Sequence, residues 1–343
     1  MVSNKIKRSD NKKRNFIIGG CLIFLVLFIL VGLMVGSYSM SPTEVIDTLF
    51  GSGNKMQNFT IFKIRLPRIC LALVVASALG VSGGVLQGIT RNPLAEPGMI
   101  GINAGAAFFV VLLISAKSSA YYSAISTNTA ILMPFVAMLG SLLAVILIYA
   151  FAYKKGVTPV RFILTGVGIN AGITAIISFY QLTMSKGDYN QVLTWTNGSL
   201  WGSNWIYIGV TTPIVLLLIA IILFKSRTLD VIGLGDELAT GLGVSVQKEM
   251  IIFLILSATL AGIATAVAGN IAFLGLIGPQ ISKKLFGSSN RLMLPMAACI
   301  SSIILICADT IARNLFSPLE IPVGIVVSIL GVPYFLYLML KEK

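Results

Sequence analysis

The sequence predicts an all-α, polytopic membrane protein with ten transmembrane helices and both termini in the cytoplasm. Three observations carry that reading. Of the 343 residues 56% are hydrophobic and 11% charged, with a mean hydropathy of +0.93, outside the balance of a water-soluble domain. Apolar stretches able to cross about 30 Å of hydrocarbon, at about 20 residues each, lie at 16–36, 69–89, 98–116, 130–153, 162–184, 206–224, 250–269, 292–308 and 321–340, with a weaker tenth at 271–282. Ten spans with the N-terminus inside leave eighteen Lys and Arg on the cytoplasmic side and seven outside, whereas omitting the tenth gives fourteen and eleven. The net charge of +13 therefore reports topology, and no nucleic-acid partner is expected.

A basic tail, 1–15, precedes a single ten-span domain, 16–343. Span 1 is too long for a signal peptide and lacks a small-residue cleavage pattern. The outer segment 37–65 carries Glu44 and Asp47, has room for a short amphipathic helix, and ends in Arg65-Leu66-Pro67-Arg68. The two arginines are either interfacial anchors or exposed cations that receive carboxylates from an extracytoplasmic protein.

Span 2 sets Ala72, Ala76, Gly80, Gly84 and Gly88 on one face, a stripe that lets a neighbouring helix approach to backbone contact. The turn that follows, Arg91 to Gly98, is fixed by Pro93 and Pro97, and Gly101 and Gly105 continue the close packing into span 3. Span 4 has Pro134 near its start, where a helix tolerates it. Span 5 is the most polar, with Thr165, Asn170, Thr174, Ser178, Gln181 and Thr183, groups that serve either interhelical hydrogen bonds or a pore lining. Trp195, Trp201 and Trp205 in the outer segment 185–205 fit an interfacial aromatic belt.

Between spans 6 and 7 lies GLGDELATGLG, 233–243. Glycines bracket it, Asp236 and Glu237 occupy its first turn, and Leu234, Leu238 and Leu242 form one apolar face. So short a helix is marginal alone. It is either a connector on the membrane surface or a knob that docks into a cytoplasmic partner. Span 7 ends in a glycine-rich break, 269–279, and the short tenth stretch beyond it has to be shielded by protein. After span 9, Asp309 and Arg313 stand four apart at the outer surface, before Glu320. A faint likeness of 73–83 to 254–264 makes an inverted repeat of spans 2–5 and 7–10 possible.

Absences narrow the function. With no histidine there is no imidazole metal site, Ser-His triad or histidine relay. Cys21, Cys70, Cys299 and Cys307 lack ligand spacing and read as packing residues. No P-loop motif occurs, so ATP hydrolysis belongs to another subunit, and no span carries the buried acidic pair of an ion-coupled carrier. No catalytic residue, metal site or cofactor is expected.

Several blocks together resemble the FecCD-type permease subunits of bacterial iron-siderophore and vitamin B12 ABC importers. They are RLPR at 65–68, GGVLQGITRNPLAEPGMIGINAGA at 83–106, WTNGSLWGSNW at 195–205, GLGDELATGLGV at 233–244, IAFLGLIGP at 271–279, ADTIARN at 308–314 and EIPVGIVVSILGVPYF at 320–335. The resemblance implies a multi-pass permease of the bacterial cytoplasmic membrane that works in a pair, as a homodimer or with a similar permease. It also implies two cytoplasmic ATP-binding subunits and an extracytoplasmic binding protein, lipid-anchored or periplasmic. It casts Gly235, Asp236, Glu237, Leu238, Ala239, Leu242 and Gly243 in the ATPase-coupling helix, and Arg65, Arg68 and Arg313 in binding-protein docking. Spans 5 and 10 would line the path, with Asn170, Ser178 and Gln181 as its candidates. Ferric siderophore is the expected cargo, with cobalamin or haem as alternatives and, outside this class, an ATPase-independent secondary transporter or a membrane scaffold. One departure is Gln280 after Pro279, where the family commonly has histidine, followed by Ser282-Lys283 in place of alanine-arginine.

Overall fold

A computed structural model describes residues 2–115, 127–154, 156–184, 186–317 and 319–341, and within them the chain is helical with no strand. Helix α1 (Val2–Met34) runs from the basic tail into the first span without a break. Two short helices follow, α2 (Pro42–Leu49) and α3 (Lys55–Phe59). Each starts in a capping box: Ser41 with Glu44, and Asn54 with Gln57, so the first-turn N–H groups are satisfied locally.

A π-helical turn, Thr60–Arg65, then joins α3 to α4 (Leu66–Thr90), making one helical rod over 55–90. The sequence reading ended the outer segment at Arg65-Leu66-Pro67-Arg68, ahead of span 2. The widened turn, with Leu66 N–H bonded to Ile61 C=O, carries the helix through Pro67 instead.

The remaining elements are α5 (Pro97–Ile100), α6 (Ile102–Ser115), α7 (Thr127–Ala152), α8 (Pro159–Leu182), α9 (Lys186–Thr196), α10 (Trp205–Phe224), α11 (Ser226–Ile232), α12 (Asp236–Gly241), α13 (Val246–Ala268), α14 (Leu274–Phe286), α15 (Asn290–Asn314) and α16 (Val323–Lys341). Eight helical stretches are long and apolar enough to cross a membrane. Helices α6 and α14, with 14 and 13 residues, are shorter. Residues 274–280 and 282 of α14 are buried by neighbouring helices, which supplies the shielding a short helix needs.

At the centre α4 crosses α13. Ser82 Oγ lies 2.8 Å from Ser257 Oγ, and Ser257 Oγ also donates to the Ser82 carbonyl at 3.1 Å. The two helices run in opposite directions. Helix α10 travels with α4, since Trp205 Nε1 donates to Phe62 C=O at one end and Leu229, just beyond α10, meets Gly88 at the other. At that second end Lys225 pairs with Glu249, where α13 begins.

Around the crossing, α4 packs on α15 as α13 packs on α7. A Cβ on Gly80 would lie 2.5 Å from Ser301 Oγ and 2.9 Å from Ala297 O; one on Gly262 would lie 2.3 Å from Ser141 Oγ and 3.2 Å from Ala137 O. These matching seats are what an inverted repeat of spans 2–5 and 7–10 would produce. They also pair Gly80 with Gly262, one residue off the likeness read between 73–83 and 254–264. The small-residue stripe of span 2 packs as its spacing predicted: Gly80 and Gly84 face α15, and Gly88 faces α11.

Candidate functional site: two polar ends and one polar helix

The Asp236 end comes first. Gly235, at φ 113°, turns the chain into α12, and Gly243, at φ 83°, turns it out; glycine reaches both conformations without steric cost. Ala239 is fully buried beneath the helix, while Leu234, Leu238 and Leu242 are 59%, 62% and 64% exposed. All three leucines point away from the fold, but only Leu238 lies within α12: Leu234 precedes the Gly235 turn and Leu242 caps the end, so the helix is shorter than the 233–243 segment read from the sequence. Glu237 is exposed, whereas Asp236 is ion-paired to Arg91. Arg91 sits in the left-handed region at the end of α4, and its Nε also donates to Ile232 C=O at 3.0 Å. The sequence reading counted Arg91 only as a topological charge, yet it braces α12. Helix α11 was not anticipated either. Behind it, Asp230 accepts from both nitrogens of Asn290, at 2.8 and 2.7 Å.

At the opposite end, near the start of α4, the expectation of exposed arginines is corrected. Arg65 and Arg68 are buried, and the Arg313 side chain is 8% exposed. Arg65 donates to the carbonyls of Leu33, Met34 and Tyr38 and so caps the last turn of α1, whose carbonyls have no helical donors. Arg68 grips Asp309 through Nε at 2.9 Å and Nη2 at 2.8 Å, and Glu320 through Nη1 at 2.8 Å. Arg313 Nε lies 3.2 Å from Asp309, and its Nη2 reaches Gly32 C=O at 3.3 Å. Asp309 and Arg313 are thus members of a buried cluster and not an isolated surface pair.

Helix α8 supplies the third locus. Thr174 and Ser178 are exposed on a helix of membrane-spanning length, and Gly168 and Gly172 open on to empty space. Hydroxyls in that position suit a water-filled path or a partner helix better than lipid. Asn170 is instead half-buried where α8 passes the Gly101 turn, and Gln181 is half-buried near the helix end. A cavity of about 540 Å³ adjoins α16, bounded by Thr196, Asn197, Asn270 and Ser328.

The turn over 91–98 meets the glycine-rich break over 269–279, and Gln87, Pro93 and Gln280 line the same cavity as Arg91 and Leu234. Gln280 Nε2 donates to Gln87 Oε1 and to Pro93 C=O, both at 2.9 Å, so the residue that departs from the family pattern ties α14 to the turn after α4. Asn103 Nδ2 donates to Asn270 Oδ1 at 3.0 Å. Glu96 is buried here as well, a burial the sequence did not signal. Of the tryptophans, Trp201 is strongly exposed as a belt residue would be, while Trp195 has its Nε1 buried within the fold. No group of acidic or cysteine residues that could hold a metal occurs among the described residues.

Comparison with known proteins agrees with this architecture. The profile of the FecCD transport family matches residues 23–341. The chain is 41% identical to the iron(3+)-hydroxamate import system permease protein FhuG of Bacillus subtilis (strain 168) over 341 residues, covering 98% of this chain and 100% of that one. It is 37% identical to the hemin transport system permease protein HmuU of Yersinia pestis over 331 residues, covering 95% and 96%. Among solved structures, a metal-chelate type ABC transporter in an inward-facing conformation superposes with a TM-score of 0.82 at 30% identity, covering 95% of this chain and 99% of the other. With nearly its whole length matched and its helices arranged in the same way, this multi-pass membrane protein belongs to the FecCD transport family.

Proposed function

We propose that the chain is the translocating subunit of an ATP-driven importer that carries ferric siderophores across the bacterial cytoplasmic membrane through ten spans. The observation that carries this reading is α12, a braced helix that, with the residues flanking it, presents three exposed leucines outside every membrane-length helix. A leucine ridge of this kind gains about 1.5–3 kcal/mol per side chain on burial in a partner's groove, and the sequence carries no P-loop motif. The energy comes from two ATP-binding subunits docked at the cytoplasmic end, on Leu238 and Leu242. The binding protein docks at the opposite end, around Arg65, Arg68 and Arg313. Cargo passes between this chain and a second permease, along α8 with Ser178, Asn170 and Gln181, and along α16.

The test is uptake of radiolabelled iron by iron-starved cells with and without the gene, offered as separate hydroxamate and catecholate siderophores. Loss for one class supports the reading and identifies the cargo. Loss for none moves the cargo to cobalamin or haem. Uptake that a protonophore stops in ATP-loaded vesicles would make the protein a secondary carrier instead.

A further inference from the structure

The cluster at the start of α4 has one positive charge more than its carboxylates cancel. Arg65, Arg68 and Arg313 face two acids, Asp309 and Glu320, and among the described residues Arg65 meets carbonyl oxygens and no carboxylate. The two acids are held very differently. Asp309 is buried and shared by Arg68 and Arg313, so its removal would strip Arg313 of its carboxylate partner and leave Arg68 with Glu320 alone. The Glu320 side chain is 38% exposed, and among the described residues its one ion pair is with Nη1 of Arg68. It also occupies a distinctive place in the chain, in the non-helical lead-in three residues before α16 begins. Besides the Arg68 contact, that lead-in is tied to the rest of the fold by Ile321 N–H to Ala312 C=O at 3.2 Å, and the first turn of α16 by Gly324 N–H to Gly198 C=O at 3.0 Å.

We propose that Glu320 is a placeholder: an acidic side chain of the docked extracytoplasmic protein replaces it on Arg68, and its release loosens the lead-in to α16. The excess positive charge favours the incoming carboxylate, and the exposure of Glu320 gives it a way in and out. Docking at this end is thereby transmitted to a helix that borders the 540 Å³ cavity. The inference rests on the reading above that this end receives the binding protein.

The test uses the permease assembled with its ATP-binding subunits in proteoliposomes, titrated with the binding protein that the same uptake requires, with ATP hydrolysis as the readout. Glu320→Gln should lower the half-saturating concentration of binding protein about fivefold, the scale of one competing half-exposed ion pair, and should raise hydrolysis in its absence. Glu320→Asp, one methylene shorter but still charged, should shift both readouts in the same direction by less. If Glu320→Gln leaves both unchanged while Arg68→Lys raises the half-saturating concentration, docking at this end stands and the placeholder is overturned. If Arg68→Lys and Arg65→Lys also change nothing, the docking reading falls, and the placeholder with it.

Discussion

Gly83 of α4 lies so close to Gly275 of α14 that a Cβ on Gly83 would stand 1.8 Å from the Gly275 carbonyl oxygen. Backbone meets backbone there, and neither side can give way. Gly83→Ala is therefore expected to destabilise the protein by at least the roughly 1–3 kcal/mol typical of overpacking. Gly84→Ala should cost less, because its Cβ would meet the terminal Cδ2 of Leu294 at 2.6 Å, which can rotate aside. Thermal unfolding of the detergent-solubilised variants ranks the two; equal midpoints would refute the backbone contact.

Replacing Leu238 and Leu242 by Asp should abolish uptake while the protein remains in the membrane at its normal level. Both side chains are exposed, so the fold does not depend on them. Unimpaired uptake would show that α12 does not transmit work from an ATP-binding subunit.

Arg91 and Asp236 should behave unequally. Their side chains are 32% and 60% exposed, so the pair itself is worth at most about 1 kcal/mol. Asp236→Asn should reduce uptake mildly. Arg91→Ala also removes the bond to Ile232 C=O, which holds the chain ahead of α12, and should reduce it severely. Equal effects would mean that the Ile232 contact contributes nothing.

Thr174→Leu and Ser178→Leu should leave expression and thermal stability unchanged, since both positions are open. Uptake should fall, because the substitutions add bulk and remove hydroxyls from the proposed path. Normal uptake by both variants would place this face of α8 against lipid or a partner helix.

Acid should fray α2. Hydrogen bonds from Ser41, first from its backbone and then from its hydroxyl, hold the Glu44 carboxyl below its ordinary 4.5. A depressed carboxylate stabilises above its unfolded-state value, and that contribution is lost as the pH falls through the lowered one. Amide exchange over 42–49 should accelerate in that acidic range once corrected for intrinsic rates, and Glu44→Gln should remove the pH dependence.

Hydropathy and charge bias made the membrane class legible because each long span advertises itself locally. Glycines placed α12 and predicted the packing face of α4 for the same reason: the signal lies within a few residues. The arginine cluster was misjudged because its partners are remote, with Asp309 and Glu320 lying 241 and 252 residues from Arg68. The link from Gln280 to Gln87 spans 193 residues and was equally silent. Glu96 gave no sign of burial, since a carboxylate between two prolines reads as an exposed turn until the rest of the fold closes over it. Helix α14 read as weak because hydropathy averages assume lipid on every face.

The helical rod over 55–90 has a mechanical consequence. At about 1.5 Å per residue it is a strut roughly 50 Å long, anchored about a third of the way along by Arg65 and Arg68 and meeting Leu229, beside the α12 brace, near its far end. Pivoted at that anchor, such a strut swings its far tip, about 35 Å away, by about 0.6 Å for each degree of tilt, so a tilt of a few degrees, too small to disturb local packing at the anchor, is felt as an atom-sized stroke at the other membrane face.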